Sequence, residues 1–426
     1  VTDTWSESRI AAGRRGWRLT LVGTLISSLG TGLTLPFLFV YLNGVRGIPL
    51  PLAGAIAAVG AVFAFALAPV SGVIGDRVGL GRLLVAGLVL NGVGTGLLAV
   101  QAGVAEAFVA VALTAAGNSL VFPALNGMVA AQLPAAQRPR AYGLRFGVLN
   151  AGIGIGGLVS GSVVSLDRPV SFQIVYLVDA ASTIAFAALV AVGMRRTPGF
   201  GRVARDAGDV DGAVPPGRRG YRSVLANRPF VGFLACSFLF SLFGYAQLDG
   251  PWAAYATLVV GVDPQVVGIA FAANTAVIVV CQLGVSRLTT RWRRSRLLLG
   301  AGALWALAWA VSGATLLPAV HGLVSAVALV VSLAVFGLGE TLFSPVAGGL
   351  PNELATDDLR ARYNALGSTT FSVAGFVGPP MAGLLLGSSA PWLWAPVVTI
   401  GMLAAALGAI VLGRMLPASV ERPGSA

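Results

Sequence analysis

Apolar residues in this chain gather into long runs separated by short polar breaks. Crossing a bilayer takes about 20 mostly apolar residues, and twelve runs reach that length, six between residues 19 and 194 and six between 230 and 414. Between the two sets, residues 195–229 are polar and hold Pro198, Gly199, Gly201, Pro215, Pro216 and eight arginines. The pattern predicts an all-α integral membrane protein with twelve transmembrane helices in two pseudo-symmetric six-helix bundles. The N-terminal bundle takes residues 1–194, a cytoplasmic linker 195–229 and the C-terminal bundle 230–426.

Composition narrows the function. Of the 426 residues 56% are hydrophobic and only 10% charged, too few charges to cover a soluble surface. All 28 basic residues are arginine, so Walker A nucleotide binding, Schiff-base chemistry and lysine nucleophiles are excluded. A net charge of +12 invites a nucleic-acid reading, but the arginines sit between apolar runs too long for a groove-reading module. They orient the chain instead, because basic residues stay on the cytoplasmic side. With the N-terminus inside, 26 arginines are cytoplasmic and only Arg46 and Arg168 are outside. Both termini are then cytoplasmic in a multi-pass protein of the cell membrane. Arg14 and Arg15 resemble the start of a twin-arginine export signal, but the run after them is a full span without a cleavage site. Cys236 and Cys281 lie inside apolar runs with no histidine near them, which predicts neither a disulfide nor a metal site, and no cofactor is expected.

An internal repeat supports two halves. An offset of 222 aligns Gly117, Ser119, Leu120 and Pro123 with Gly339, Thr341, Leu342 and Pro345, and Arg140, Gly156 and Gly161 with Arg362, Gly378 and Gly383. Parallel repeats related by an axis along the membrane normal give such matches. Runs 1, 4, 7 and 10 carry Pro36, Pro123, Pro251 and Pro345 in corresponding places. Paired interruptions point to a substrate site, although proline is also generally commoner in membrane helices.

The loop after run 2, Gly72-Val-Ile-Gly-Asp76-Arg77-Val-Gly79-Leu-Gly81-Arg82, resembles the G-x-L-x-D-R-x-G-R-R loop of the major facilitator superfamily. Run 5, from Asn150 through Gly152, Gly156 and Gly157 to Gly161, is similar to the antiporter signature of its drug-exporting members, with Gly157 where they carry proline. Its repeat mate, Gly375 to Pro379, keeps the proline at Pro379 beside Gly378. The stretches Tyr245 to Pro251 and Gly337 to Pro345 also resemble runs 7 and 10 of twelve-helix drug:proton antiporters. Two features depart from that pattern: run 4 has no arginine before Gly117, and Thr290 stands where the second loop would carry its aspartate. The resemblance implies a latch at Gly72, Asp76, Arg77, Gly79 and Arg82, with Arg362 beside its partner, and a seal against proton leak at the run 5 glycines. Close helix packing by Gly152, Gly156 and Gly161 needs no resemblance, because small residues let membrane helices approach.

Acids inside a membrane are costly and default to functional candidates. Three fall within runs: Glu340, Asp249 and Asp179. Glu340 shares a face with Phe336, Phe343 and Ser344 by helical spacing and is expected to couple protons, the plainer reading being a hydrogen bond between helices. Its repeat mate is Asn118. Asp249 shares a face with Tyr245 and Trp252, which suits an amphipathic or cationic substrate; an exposed acid near the outer interface reads equally well. Asp179, in the sixth run, is expected to be structural ahead of coupling. Gln247 is a further candidate for the cavity lining, and Asn150, Asn274 and Gln282 are polar candidates for that lining or for bridges between helices. Arg145 either pairs with a carboxylate or reaches toward the interface.

The residues together with the resemblance imply a secondary active transporter, expected to be a monomer, and not an enzyme. It would exchange protons for an amphipathic small molecule, such as an antibiotic or related metabolite, by alternating access in the lipid bilayer. The alternative is an uptake carrier, symporter or facilitator, for a sugar, organic acid or other metabolite; the missing run 4 arginine and Gly157 speak for it.

Overall fold

The computed structural model describes residues 7–201, 221–289, 292–356 and 359–422, and their side chains apart from those at 68–69, 72–73, 76, 135, 139, 282–283, 286–289 and 361. Among these residues twelve helices are long and apolar enough to cross a membrane. They are α1 (Glu7–Val45), α2 (Leu50–Val78), α3 (Leu80–Val100), α4 (Val104–Gln132), α5 (Arg138–Val163) and α6 (Pro169–Gly193), then α7 (Arg228–Trp252), α8 (Pro264–Thr289), α9 (Arg294–Ala314), α10 (Leu323–Leu354), α11 (Arg360–Leu386) and α12 (Trp394–Met415). Short helices occupy Tyr221–Leu225 and Ala418–Glu421, and no strand occurs among the described residues. Residues 202–220 of the expected linker lie outside the described residues.

The chain divides into two compact units. The first comprises α1, α2 from Val59 onward, and α3 to α6; the second comprises Pro49–Ala58 and α7 to α12. The start of α2 belongs to the second unit because its backbone runs against α11, with the Leu50 carbonyl against Gly383 and the Pro379 carbonyl against Gly54. The same helix pairs form in each unit. In the first, α3 packs on α4 and α6 and α1 on α5 and α6; in the second, α9 packs on α10 and α12 and α7 on α11 and α12. The recurring pairs are those that the internal repeat implies.

Large apolar side chains also point outward, as at Val192 (75% exposed) and Val280 (76%). Outward apolar groups suit lipid, and small residues let the helices approach closely inside. The α1–α5 contact shows how. A side chain at Gly152 would collide with Ser28, and one at Gly156 with the Leu29 carbonyl and Gly32, while the Ser160 hydroxyl donates to the Leu33 carbonyl at 2.6 Å. Two backbones therefore meet almost directly.

The four matched prolines behave differently. Pro123 and Pro345 sit inside the continuous helices α4 and α10. At Pro36, α1 tightens into a 3-10 turn over Leu35–Phe37 and then widens into a π turn over Tyr41–Val45. Helix α7 is interrupted outright, with non-helical dihedrals at Asp249 (φ −79°, ψ 84°) and Gly250 (φ 103°, ψ −56°) just before Pro251. A residue preceding proline is pushed out of the helical region, and glycine alone takes that positive φ without strain.

Gly156→Val should therefore overpack the α1–α5 contact and cost about 1–3 kcal/mol. Gly147→Ala, in the same helix but with nothing within 4 Å of the added methyl, should be neutral. Thermal unfolding of the purified variants checks this, and equal melting temperatures would refute the close packing.

Candidate transport site

In the second unit one carboxylate gathers side chains from several helices. Glu340, on α10, is half-buried and accepts a hydrogen bond from the Tyr245 hydroxyl of α7 at 3.2 Å. The Tyr245 ring stands edge-on to Trp305 (centroids 5.1 Å) and Phe336 (6.3 Å), with Phe343 at 6.0 Å and Phe371 at 5.8 Å. Trp305, on α9, stacks flat on Phe336 at 4.3 Å and donates its indole N–H to the Phe336 carbonyl at 2.8 Å. Gly244 and Gly339 open the slot it fills, since a side chain at either would collide with the indole. Helices α9, α10 and α11 thus each send a ring against the α7 tyrosine that bonds this acid. Four residues beyond Tyr245, Asp249 is exposed at the α7 break. No ion pair involves either acid among the described residues. A carboxylate with a phenol donor among aromatic faces can hold a proton or face a cationic group.

Four of the candidate cavity residues lie in the interior of the second unit. Gln247, Trp252, Phe336 and Asn274 are buried. Gln247 accepts the Trp394 indole N–H at 2.9 Å and donates to the Leu242 carbonyl at 3.0 Å. Trp252 donates to the Ser312 hydroxyl at 3.1 Å, and Asn274 to the Leu333 carbonyl at 3.2 Å. The break at Asp249 and Gly250 is the reason for Trp252: helical spacing from Tyr245 does not carry across it. Phe336 is covered by Trp305, an aromatic contact from another helix that one-helix spacing does not contain. Asn118 is exposed and accepts from Asn91 at 2.9 Å, while Asn150 bonds the Phe146 carbonyl of its own helix at 2.8 Å. The Gln282 side chain lies outside the described residues.

In the first unit Asp179, on α6, is 5% exposed and accepts the Thr34 hydroxyl of α1 at 2.6 Å. Gly30 of α1 lies directly against Asp179 and Ser182. Arg145 pairs with no carboxylate among the described residues: it donates to the Asn126 side-chain oxygen at 2.8 Å and lies 5.7 Å from the Phe122 ring centroid. For the loop between α2 and α3, Gly72 and Asp76 lie outside the residues whose side chains are described. Arg77 and Arg82 are exposed, and Gly79 turns the chain at φ 95°. The loop is tied down where the Gly81 N–H donates to the Phe200 carbonyl at 3.2 Å. Arg362 is half-buried near the start of α11 and has a bonding partner. Gly161 is buried, and Gly378, beside Pro379, abuts Ala246 of α7.

Trp305, Phe371 and Thr34 were not singled out by sequence reasoning. The glycines at 244 and 339 carried the signal for Trp305, since both are bulk-intolerant neighbours of candidate residues.

The sequence model of the Major Facilitator Superfamily matches residues 20–259 and 248–425. Among curated proteins, the chain is 23% identical over 379 residues to an uncharacterized MFS-type transporter, YqjV, of Bacillus subtilis (strain 168), covering 86% of this chain and 85% of that one. It is 26% identical over 160 residues to the quinolone resistance protein NorA of Staphylococcus aureus (strain MRSA252), covering 37% and 40%. Among solved structures it is similar in fold to a POT family transporter in complex with a thioalcohol-conjugated peptide (TM-score 0.75, 12% identity, 95% of this chain and 97% of that one). It is likewise similar to the nucleoside transporter NupG (TM-score 0.72, 12% identity, 93% and 99%).

The Asp179–Thr34 bond makes its own prediction. Thr34→Val should cost about 1–3 kcal/mol by leaving a buried carboxyl group without its donor. In an Asp179→Asn background the same change should cost less, and a double-mutant cycle on thermal stability checks it. Strict additivity would show that the two side chains do not interact.

Proposed function

The chain belongs to the Major Facilitator Superfamily and is a multi-pass membrane transporter of the secondary type rather than an enzyme; from that premise we propose that it is a proton-coupled exporter of amphipathic small molecules, such as antibiotics or related metabolites. The observation that carries the reading is the Glu340–Tyr245 pair set among aromatic rings of four helices, with no cation paired to it among the described residues. When Glu340 is ionised it accepts from Tyr245 and presents negative charge to a cationic or amphipathic substrate; when it is protonated that attraction is lost. Proton and substrate then compete for one group, and alternating access turns the competition into exchange. Asp249 supplies a second carboxylate at a helix break, the kind of place where transporters build sites from freed backbone. Asp179, held by Thr34, serves chiefly to fasten α6 to α1. The partial likeness to a quinolone resistance protein supports export.

Uptake of a sugar, organic acid or other metabolite is the second reading. It is favoured by the lack of any arginine in α4 and by Gly157 where drug exporters carry proline.

We propose further that both termini face the cytoplasm. A fluorescent protein fused after Met415 should fluoresce, and a periplasmic reporter enzyme fused there should stay inactive; the opposite result reverses the orientation.

Glu340→Gln should abolish gradient-driven transport while the protein still reaches the membrane. Proteoliposomes with an imposed proton gradient, probed with ethidium and a panel of amphipathic drugs, measure it. Undiminished proton-driven efflux by the variant would sink the assignment. Proton and substrate flux in the same direction would select uptake.

A further inference from the structure

A cavity of about 330 Å³ opens in the second unit where α9 begins and α12 ends, and it has no part in the site above. Arg293, Arg296 and Arg414 line it, along with Glu421 from the short helix that follows α12. The charges do not cancel. Glu421 is buried and engaged by the backbone N–H (3.3 Å) and hydroxyl of Ser295, in the first turn of α9. Arg294, which does not line the cavity, is paired with Glu353. Arg293, Arg296 and Arg414 form no ion pair among the described residues, and the Nε of Arg293 is buried with no hydrogen-bond partner. The cavity therefore carries uncompensated positive charge, to which the N-terminal end of α9 adds its own partial charge.

Its deeper wall is apolar. Leu299 and Ile410 line the cavity one turn further into their helices. From Ile410 a track of exposed apolar side chains continues along α12 through Leu407, Leu403 and Ile400. Both helices are of membrane-spanning length, so their ends come at the bilayer surface. A charged rim at the surface with an apolar track leading inward matches an amphipathic anion lying in the bilayer, and basic pockets between membrane helices hold such headgroups.

We propose that this cavity binds an anionic phospholipid, its phosphate received by Arg293, Arg296 and Arg414 and an acyl chain laid along Leu407, Leu403 and Ile400 of α12. The proposal does not depend on what the protein transports. The test reconstitutes the purified full chain in phosphatidylcholine nanodiscs carrying a minority of phosphatidylglycerol, releases it, and reads the retained lipid by native mass spectrometry. Wild type should retain phosphatidylglycerol in preference. The Arg296→Gln, Arg414→Gln double variant should lose that preference by roughly five-fold for each arginine removed. Both residues are exposed, so the fold tolerates their replacement. Leu299→Trp, which fills the cavity without changing charge, should lose the preference as well. Arg14→Gln, Arg15→Gln, removing the same charge from the exposed surface of α1, should keep it. Equal loss in that control would mean general charge attraction, and displacement of phosphatidylglycerol by inorganic phosphate would mean a free-anion site. Either result overturns the proposal, as does unchanged retention by the Arg296 and Arg414 variant.

Discussion

Inside a bilayer a backbone amide has no water to bond, so each N–H and carbonyl must find its partner within the protein. That constraint accounts for a described structure built of helices without strands, and it makes a helix break the most expensive local feature such a chain can carry. Continuous α4 and α10 show that proline alone does not force one. At Asp249 and Gly250 of α7 three things coincide: a glycine free to take positive φ, a proline after it, and an acid beside it. The break places a carboxylate next to unwound backbone, where both can serve a ligand. Its cost is offset by the buried neighbours on either side, Gln247 bonded to Trp394 and Trp252 bonded to Ser312.

Packing follows from the same solvent. Lipid is as apolar as leucine, so burial of leucine gives helices little reason to associate, and close fit with a few hydrogen bonds must do so. The two units meet that need differently. In the first, small residues bring backbones together, as at Gly152 and Gly156, and hydroxyls such as Thr34 and Ser160 tie the helices. In the second, four buried tryptophans fill the interior and each indole N–H is bonded, to Ser312, the Phe336 carbonyl, the Phe243 carbonyl and Gln247. The ring-rich unit is also the one that holds Glu340 and Asp249. Rigid rings fix the Tyr245 hydroxyl against its acid with little side-chain freedom to lose.

The span count was legible because membrane thickness sets a length that no other feature of the sequence imitates. The three membrane acids were legible for a related reason: a charge inside an apolar run has few explanations. The lining of the site was not. In an all-apolar helix the face toward lipid and the face toward the interior carry the same residue types, so helical spacing sets Trp252 and Phe336 beside their acids without showing that both are buried. Helical spacing also assumes an unbroken helix, and α7 violates that at the point where the spacing was applied. Trp305 escaped notice because one more aromatic residue in an apolar helix breaks no pattern; only Gly244 and Gly339, on two other helices, record its bulk. Asn91 with Asn118 and Thr34 with Asp179 are likewise contacts between helices, invisible to any one-helix argument.

The three acids separate by their surroundings rather than by their chemistry. Asp179 is nearly enclosed, 5% exposed, and holds a short bond from a threonine that is itself buried. Asp249 is exposed at the α7 break, with no hydrogen bond or ion pair among the described residues. Glu340 lies between these limits, half-buried and bonded to a phenol that can donate but does not neutralise it. A group that must gain and lose a proton in each cycle needs access to water and also an environment that changes with its charge. Burial limits the first and exposure the second. The intermediate case combines them, and on that physical ground the proposed coupling is placed at Glu340 before either of the others.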